Sequence, residues 1–206
     1  MRIDKLTTQL QQALGEAQSL ALANDNQYID PLHLLVALVS QPDGSGRALL
    51  ERAGVRIAAL KSAAESAIKR LPQVSGTGGE VQVGRELINL LNLAEKESMK
   101  RGDQFVATEM FLLALSDDKG EAGRVAREAG LSRKPLEATI EAVRGGAKVA
   151  SAEAEGQREA LKKIHHRPDR AGASGKARSG NWTRRRNSSC HPDSAATHQE
   201  QPGAHR

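Results

Sequence analysis

The sequence predicts an all-α fold: two pseudo-twofold four-helix repeats followed by a disordered tail. Three observations predict it. Residues 10–41 align with residues 87–118 at an offset of 77, so the first part of the chain is an internal duplication. Aromatic residues make up only 2% of the 206 residues, which leaves a core of Leu, Ile, Val and Ala; such a core suits helices better than sheets. The composition also breaks after Lys163. Residues 164–206 carry eight Lys/Arg and three Asp/Glu, five of the six histidines, the only Trp and the only Cys, and almost no Leu, Ile or Val. Residues 1–163 hold 22 charges of each sign, so the net charge of +5 belongs to the tail.

The first copy opens with Leu6, Leu10, Ala13, Ala17 and Leu20, spaced 4, 3, 4 and 3 as one apolar helical stripe. Asp30 followed by Pro31 reads as an N-cap with proline in the first turn of a helix over Leu32–Val39. A turn at Gln41–Gly46 leads to a short helix, Arg47–Arg52, closed by Gly54, and a fourth helix runs from about Arg56 to Lys69. Leu71–Gly79 reads as a linker by its Pro and Gly content. The second copy repeats this order, with Thr108 as a helix cap and Gly145-Gly146 ending its last helix. No stretch alternates as a strand. The repeats are placed at about 3–70 and 80–146, and residues 147–163 are read as a linker. A groove between the copies is the natural place for a ligand.

Several function classes are excluded or disfavoured. One cysteine rules out a disulfide framework and a Cys-based zinc finger. No apolar run approaches the length of a membrane span, and the start has no signal-peptide core, so a soluble cytoplasmic protein is expected. Gly172–Ala177 is too short for a phosphate loop and lacks its hydroxyl. The tail histidines and Cys190 fit no common zinc spacing, and no metal is expected. Trp182 with Arg184–Arg186 could contact nucleic acid, but a solvated charge run is the plainer reading. His33 reads as a packed or capping residue, since no nucleophile motif accompanies it.

The paired copies, the opening Met1–Thr7, the run Ala17–Leu22, Pro31–Leu35 and the linker Arg70–Val74 with Gly76–Gly79 resemble the N-terminal Clp repeats of the Clp/Hsp100 chaperones, closest to the ClpB-type disaggregases. Residues 157–163 resemble the segment that leads into the first ATPase module of that family. In a displaced reading frame the codons for residues 164–170 can spell Tyr-Thr-Ile-Asp-Leu-Thr-Glu, which is similar to what the family has there. The tail is therefore read as a frameshifted translation that ends before any ATPase motif.

The resemblance implies a substrate-binding domain that captures unfolded or aggregated protein, with docking of an adaptor protein as the alternative. It implies no enzyme activity for this chain, no cofactor (ATP belongs to the full-length family), no specific nucleic acid or membrane partner, and a monomer without the ATPase ring. It also implies roles for Thr7, Asp103 and Glu109, which the residues alone read as helix-terminus charge and polarity. Leu87, Ile88, Leu90, Leu91 and Leu93 cover more than one stripe of their helix. Leu90, Leu91, Leu93 and Met110 are thus either core or the lining of an apolar groove.

Overall fold

The structure is a computed structural model that describes residues 3–42, 44–74 and 81–165. A short 3-10 turn at Ile3–Lys5 precedes α1 (Thr8–Ala23), β1 (Tyr28–Ile29), α2 (Pro31–Ser40), α3 (Ser45–Arg52) and α4 (Ile57–Ile68). The second copy comprises β2 (Gln82–Val83), α5 (Arg85–Arg101), α6 (Thr108–Ser116), α7 (Glu121–Glu128) and α8 (Arg133–Arg144). A further helix, α9 (Ala154–His165), follows. The tail, with its basic run, histidines, cysteine and proposed frameshift, lies outside the described residues from position 166 on.

The core forms around α2 and α6. Every residue from Pro31 to Val39 and from Thr108 to Ser116 is buried. A helix that is apolar on all sides must be covered on all sides. Accordingly α1, α4, α3 and α7 pack on α2, while α5, α3, α7 and α8 pack on α6. The amphipathic outer helices bury one stripe each: Leu10, Ala13, Ala17 and Ala21 on α1, and Leu87, Leu90, Leu91, Ala94 and Ser98 on α5.

Asp30 does cap α2. Its carboxylate accepts from Leu32 N at 2.9 Å, and His33 Nδ1 accepts from Asp30 N at 2.9 Å, a reciprocal capping box. His33 Nε2 then donates to Asn26 Oδ1 at 3.0 Å. Only a neutral imidazole protonated on Nε2 satisfies both bonds. Burial lowers the His33 pKa from 6.5 to about 4. His33 is fully buried. Since the folded pKa lies below the unfolded one, this contribution is fully present above pH 6.5 and is lost as pH falls toward 4. Urea unfolding is expected to show a loss of about 2 kcal/mol between pH 6.5 and pH 5, absent in His33→Gln. An equal slope in both proteins would disprove the assignment.

Three features differ from the sequence reading. Two strands exist, Tyr28–Ile29 and Gln82–Val83, paired in parallel with Tyr28 opposite Gln82. Two residues are too few to show an alternating pattern. Thr108 is the first helical residue of α6, and the cap position belongs to Ala107, which supplies no side-chain bond. Residues 147–165 do not run free as a linker. Val149 and Glu155 are buried, and the segment is bonded to both copies.

Candidate functional site

Two places on the domain bring functional side chains together. The first is the seam where the copies meet. Thr7 N donates to Val106 O at 3.0 Å and Val106 N to Lys5 O at 2.7 Å, which ties the start of copy one to the α5–α6 loop. The strap 147–158 closes over this seam. Val149 N donates to Asp103 Oδ1, and Gln104 N to Val149 O, both at 2.9 Å; Thr8 N donates to Ala152 O at 3.0 Å.

Glu155 sits at the centre, 1% exposed. Its carboxylate accepts from Thr7 Oγ1, from Ser45 Oγ at 3.1 Å, from Thr108 N at 3.0 Å and from Thr108 Oγ1 at 3.4 Å. These donors stand at the N-terminal ends of α1, α3 and α6, where helix dipoles present partial positive charge. Gly46 permits the convergence, since a Cβ there would lie 2.9 Å from Thr108 Cγ2. Burial raises the pKa of Glu155, the neighbouring Glu109 charge adds to the rise, and the hydroxyl and amide donors oppose it. The raised value means that Glu155 favours the fold at low pH and loses that contribution as pH rises through its folded pKa.

Beside it, Arg144 bridges two carboxylates. Its Nη1 donates to Asp103 Oδ2 at 2.7 Å and its Nε donates to Glu109 Oε2. Arg158 Nη1 reaches Glu109 Oε1 at 2.9 Å. Burial would lower the Arg144 pKa, but the Glu109 and Asp103 carboxylates outweigh it, so the net shift is upward. The cavity under the strap, bounded in part by Ser45, Leu49, Arg52 and Glu109, measures about 20 Å³, room for one water.

Thr7, Asp103 and Glu109 therefore come together as buried members of this network rather than as the rim of an open groove. Of the residues left open between core and groove, Leu90, Leu91 and Met110 are core and not a binding surface, with at most 2% of their surface exposed. The reason is periodicity: positions 87, 90, 91, 94 and 98 make the buried stripe of α5. The apolar excess on that helix is Ile88 and Leu93, 36% and 46% exposed. Ser45, Arg144, Glu155 and Arg158 escaped the sequence reading. Buried charges leave no hydropathic period, and only the basic residue in the last turn of α8 hinted at a role for Arg144.

The second place is a cleft of about 660 Å³ that does lie between the copies, on the β1–β2 side. Tyr28 and Asp30 from the first copy face Val83, Arg85, Glu86 and Ile88 from the second. A smaller hollow of about 230 Å³ continues past Tyr28 along Leu71, Pro72 and Val74. Tyr28 is half exposed, between the two. Among the described residues no cluster of His, Cys, Asp and Glu could hold a metal, and no helix is long and apolar enough to cross a membrane.

The molecule is thus a duplicated helical scaffold with an open cleft between its copies and a buried polar network in which Arg144 Nη2 and Arg158 Nη2 lack a hydrogen-bond partner. The chain belongs to the Clp repeat N-terminal domain family, whose model matches residues 5–129. It is 44% identical over 164 residues to the chaperone protein ClpB of Vibrio cholerae and 41% identical over 163 residues to that of Pseudomonas putida. These matches cover 80% and 79% of this chain and 19% of each relative, so the chain spans about a fifth of their length. Among solved structures, the Hsp104 N-terminal domain from Candida albicans superposes with a TM-score of 0.64 at 23% identity, covering 73% of this chain and 99% of that one. The N-domain of ClpV from Vibrio cholerae superposes with a TM-score of 0.58 at 20% identity, covering 72% and 89%. Both share the fold. The matched region is a Clp N-terminal domain and includes no ATPase module.

Proposed function

We propose that this domain captures exposed apolar segments of unfolded or aggregated polypeptides in the cytoplasm, as the client-binding part of a ClpB-like disaggregase. The observation that carries this reading is the cleft at Tyr28. A half-exposed aromatic and the exposed Ile88 flank a concavity of about 660 Å³, while the other large apolar groups of the two repeats are mostly buried. Tyrosine offers a large apolar face at low entropic cost, which suits transient contact with many sequences. Capture by this route needs no nucleotide or metal and proceeds on the monomer. Affinity is expected at micromolar or weaker, since a small cleft must first offset the entropy of association.

Replacing Tyr28 and Ile88 together with serine is expected to weaken binding of an unfolded model protein about tenfold. Folding stability should fall by no more than about 2 kcal/mol, because Tyr28 is half exposed and Ile88 only partly buried. Fluorescence anisotropy beside a thermal melt reads both. Unchanged binding by the folded double variant would refute the cleft as the capture surface.

Docking of a defined adaptor peptide is the second reading. It is supported by the solved complex of a ClpV N-domain with a VipB peptide, which shares this fold at a TM-score of 0.58. Competition separates the two. Unrelated unfolded proteins displace one another from a capture surface and leave an adaptor site untouched.

A further inference from the structure

We propose that the seam is a carboxylate-binding site of which Glu155 is the built-in occupant, and that a carboxylate carried by a bound acidic polypeptide replaces it, releasing the strap. Donors from three separate elements converge there: the Thr7 hydroxyl before α1, the Ser45 hydroxyl at the start of α3, and the N–H and hydroxyl of Thr108 at the start of α6. Four donors around one 1%-exposed carboxylate form a site built for that group. Left empty, the Thr7 and Thr108 donors would be buried without partners, at a substantial cost, while the Ser45 hydroxyl would keep Gln9 Oε1 at 2.8 Å. The site therefore selects a carboxyl group, and the chain supplies one from a segment outside both repeats.

The occupant is also held in a way that permits exchange. Glu109 lies close enough to disfavour the charged form of Glu155. The rest of the described strap grips the domain through Val149, Ala152, Arg158 and the packing of α9 on α3. The groups facing Glu155 and its neighbour are Thr7, Gln9, Ser45, Thr108, Glu109, Arg144 and Arg158; none is a lysine or arginine bonded to Glu155 itself. Tethering gives the internal carboxylate an effective concentration on the order of millimolar. A competing carboxylate succeeds at or above that level, or when its own chain is already held nearby.

Amide hydrogen exchange on the full chain tests this. In Glu155→Ala, exchange across residues 147–158 is expected to quicken on the order of tenfold, and acetate, which fits the vacated space, to restore protection. Chloride at equal ionic strength should not, and opening the strap of the unmodified chain should take more acetate than restoring protection to Glu155→Ala, because there acetate competes with the tethered carboxylate. Should Glu155→Ala fail to fold, acetate is expected to recover its helical circular dichroism. Glu155→Gln, which leaves no space, should stay folded and insensitive to acetate. Hexaglutamate at tens of millimolar should open the strap of the unmodified chain, and hexaglutamine should not. Acetate and chloride acting alike on Glu155→Ala would overturn the carboxylate site. A strap equally protected with hexaglutamate and hexaglutamine would overturn its displacement. Neither result bears on the Tyr28 cleft, whose variants leave the seam intact.

Discussion

Replacing Arg144 with methionine is expected to destabilise the domain by about 3–5 kcal/mol, a large share of the total for a domain of this size. The substitution leaves the buried Asp103 carboxylate without a guanidinium and Glu109 with Arg158 alone. Removing one member of a buried ion pair is far more damaging than removing all of them, because the remaining charge cannot return to water. The triple variant Arg144→Met, Asp103→Asn, Glu109→Gln should therefore recover part of the loss. Arg158→Met, whose side chain is one-fifth exposed, should lose much less. Urea denaturation at pH 7 provides the comparison. An Arg144→Met protein within 1 kcal/mol of the parent would contradict the buried bridge.

The second large effect concerns α5. Leu91→Ala is expected to lower stability by about 2–5 kcal/mol, and Leu91→Asp to abolish the fold, because an isolated carboxylate would have to enter the apolar core. Two positions along, Leu93→Asp should melt within a few degrees of the parent, since Leu93 is 46% exposed. Helical circular dichroism followed through a thermal melt distinguishes them. A cooperative, near-parental melt for Leu91→Asp would move Leu91 from the core to a surface.

The duplication and the helices were legible because apolar period, Asp30-Pro31 and the closing glycines each leave a local mark in sequence. Gly145, with φ near +56°, ends α8 as its position suggested. The candidate site was legible only as a set of residue types. Thr7, Asp103 and Glu109 were found, but their burial depends on Arg144 and Glu155, distant in sequence and without periodic signature. The leucines of α5 read equally as core or groove lining, whereas the open cleft uses Tyr28, from a two-residue strand no pattern could reveal. Leu90 and Leu91 look identical to Leu93 in composition, and only the angular position around the helix separates them.

The copies exchange contacts reciprocally: α3 lies on α6 as α7 lies on α2, and α4 meets α7 as α8 meets α3. Each copy covers part of its central helix with the other copy. A half-length ancestor of such a chain would cover those faces by pairing as an isologous homodimer, its stability rising and falling with concentration. Joining the two copies through residues 71–81 makes assembly unimolecular, so the fused chain folds equally well when dilute. It also frees each half to diverge, and the divergence is visible in the seam, where copy one contributes hydroxyls and copy two adds the buried charges Asp103, Glu109 and Arg144 to the Thr108 hydroxyl.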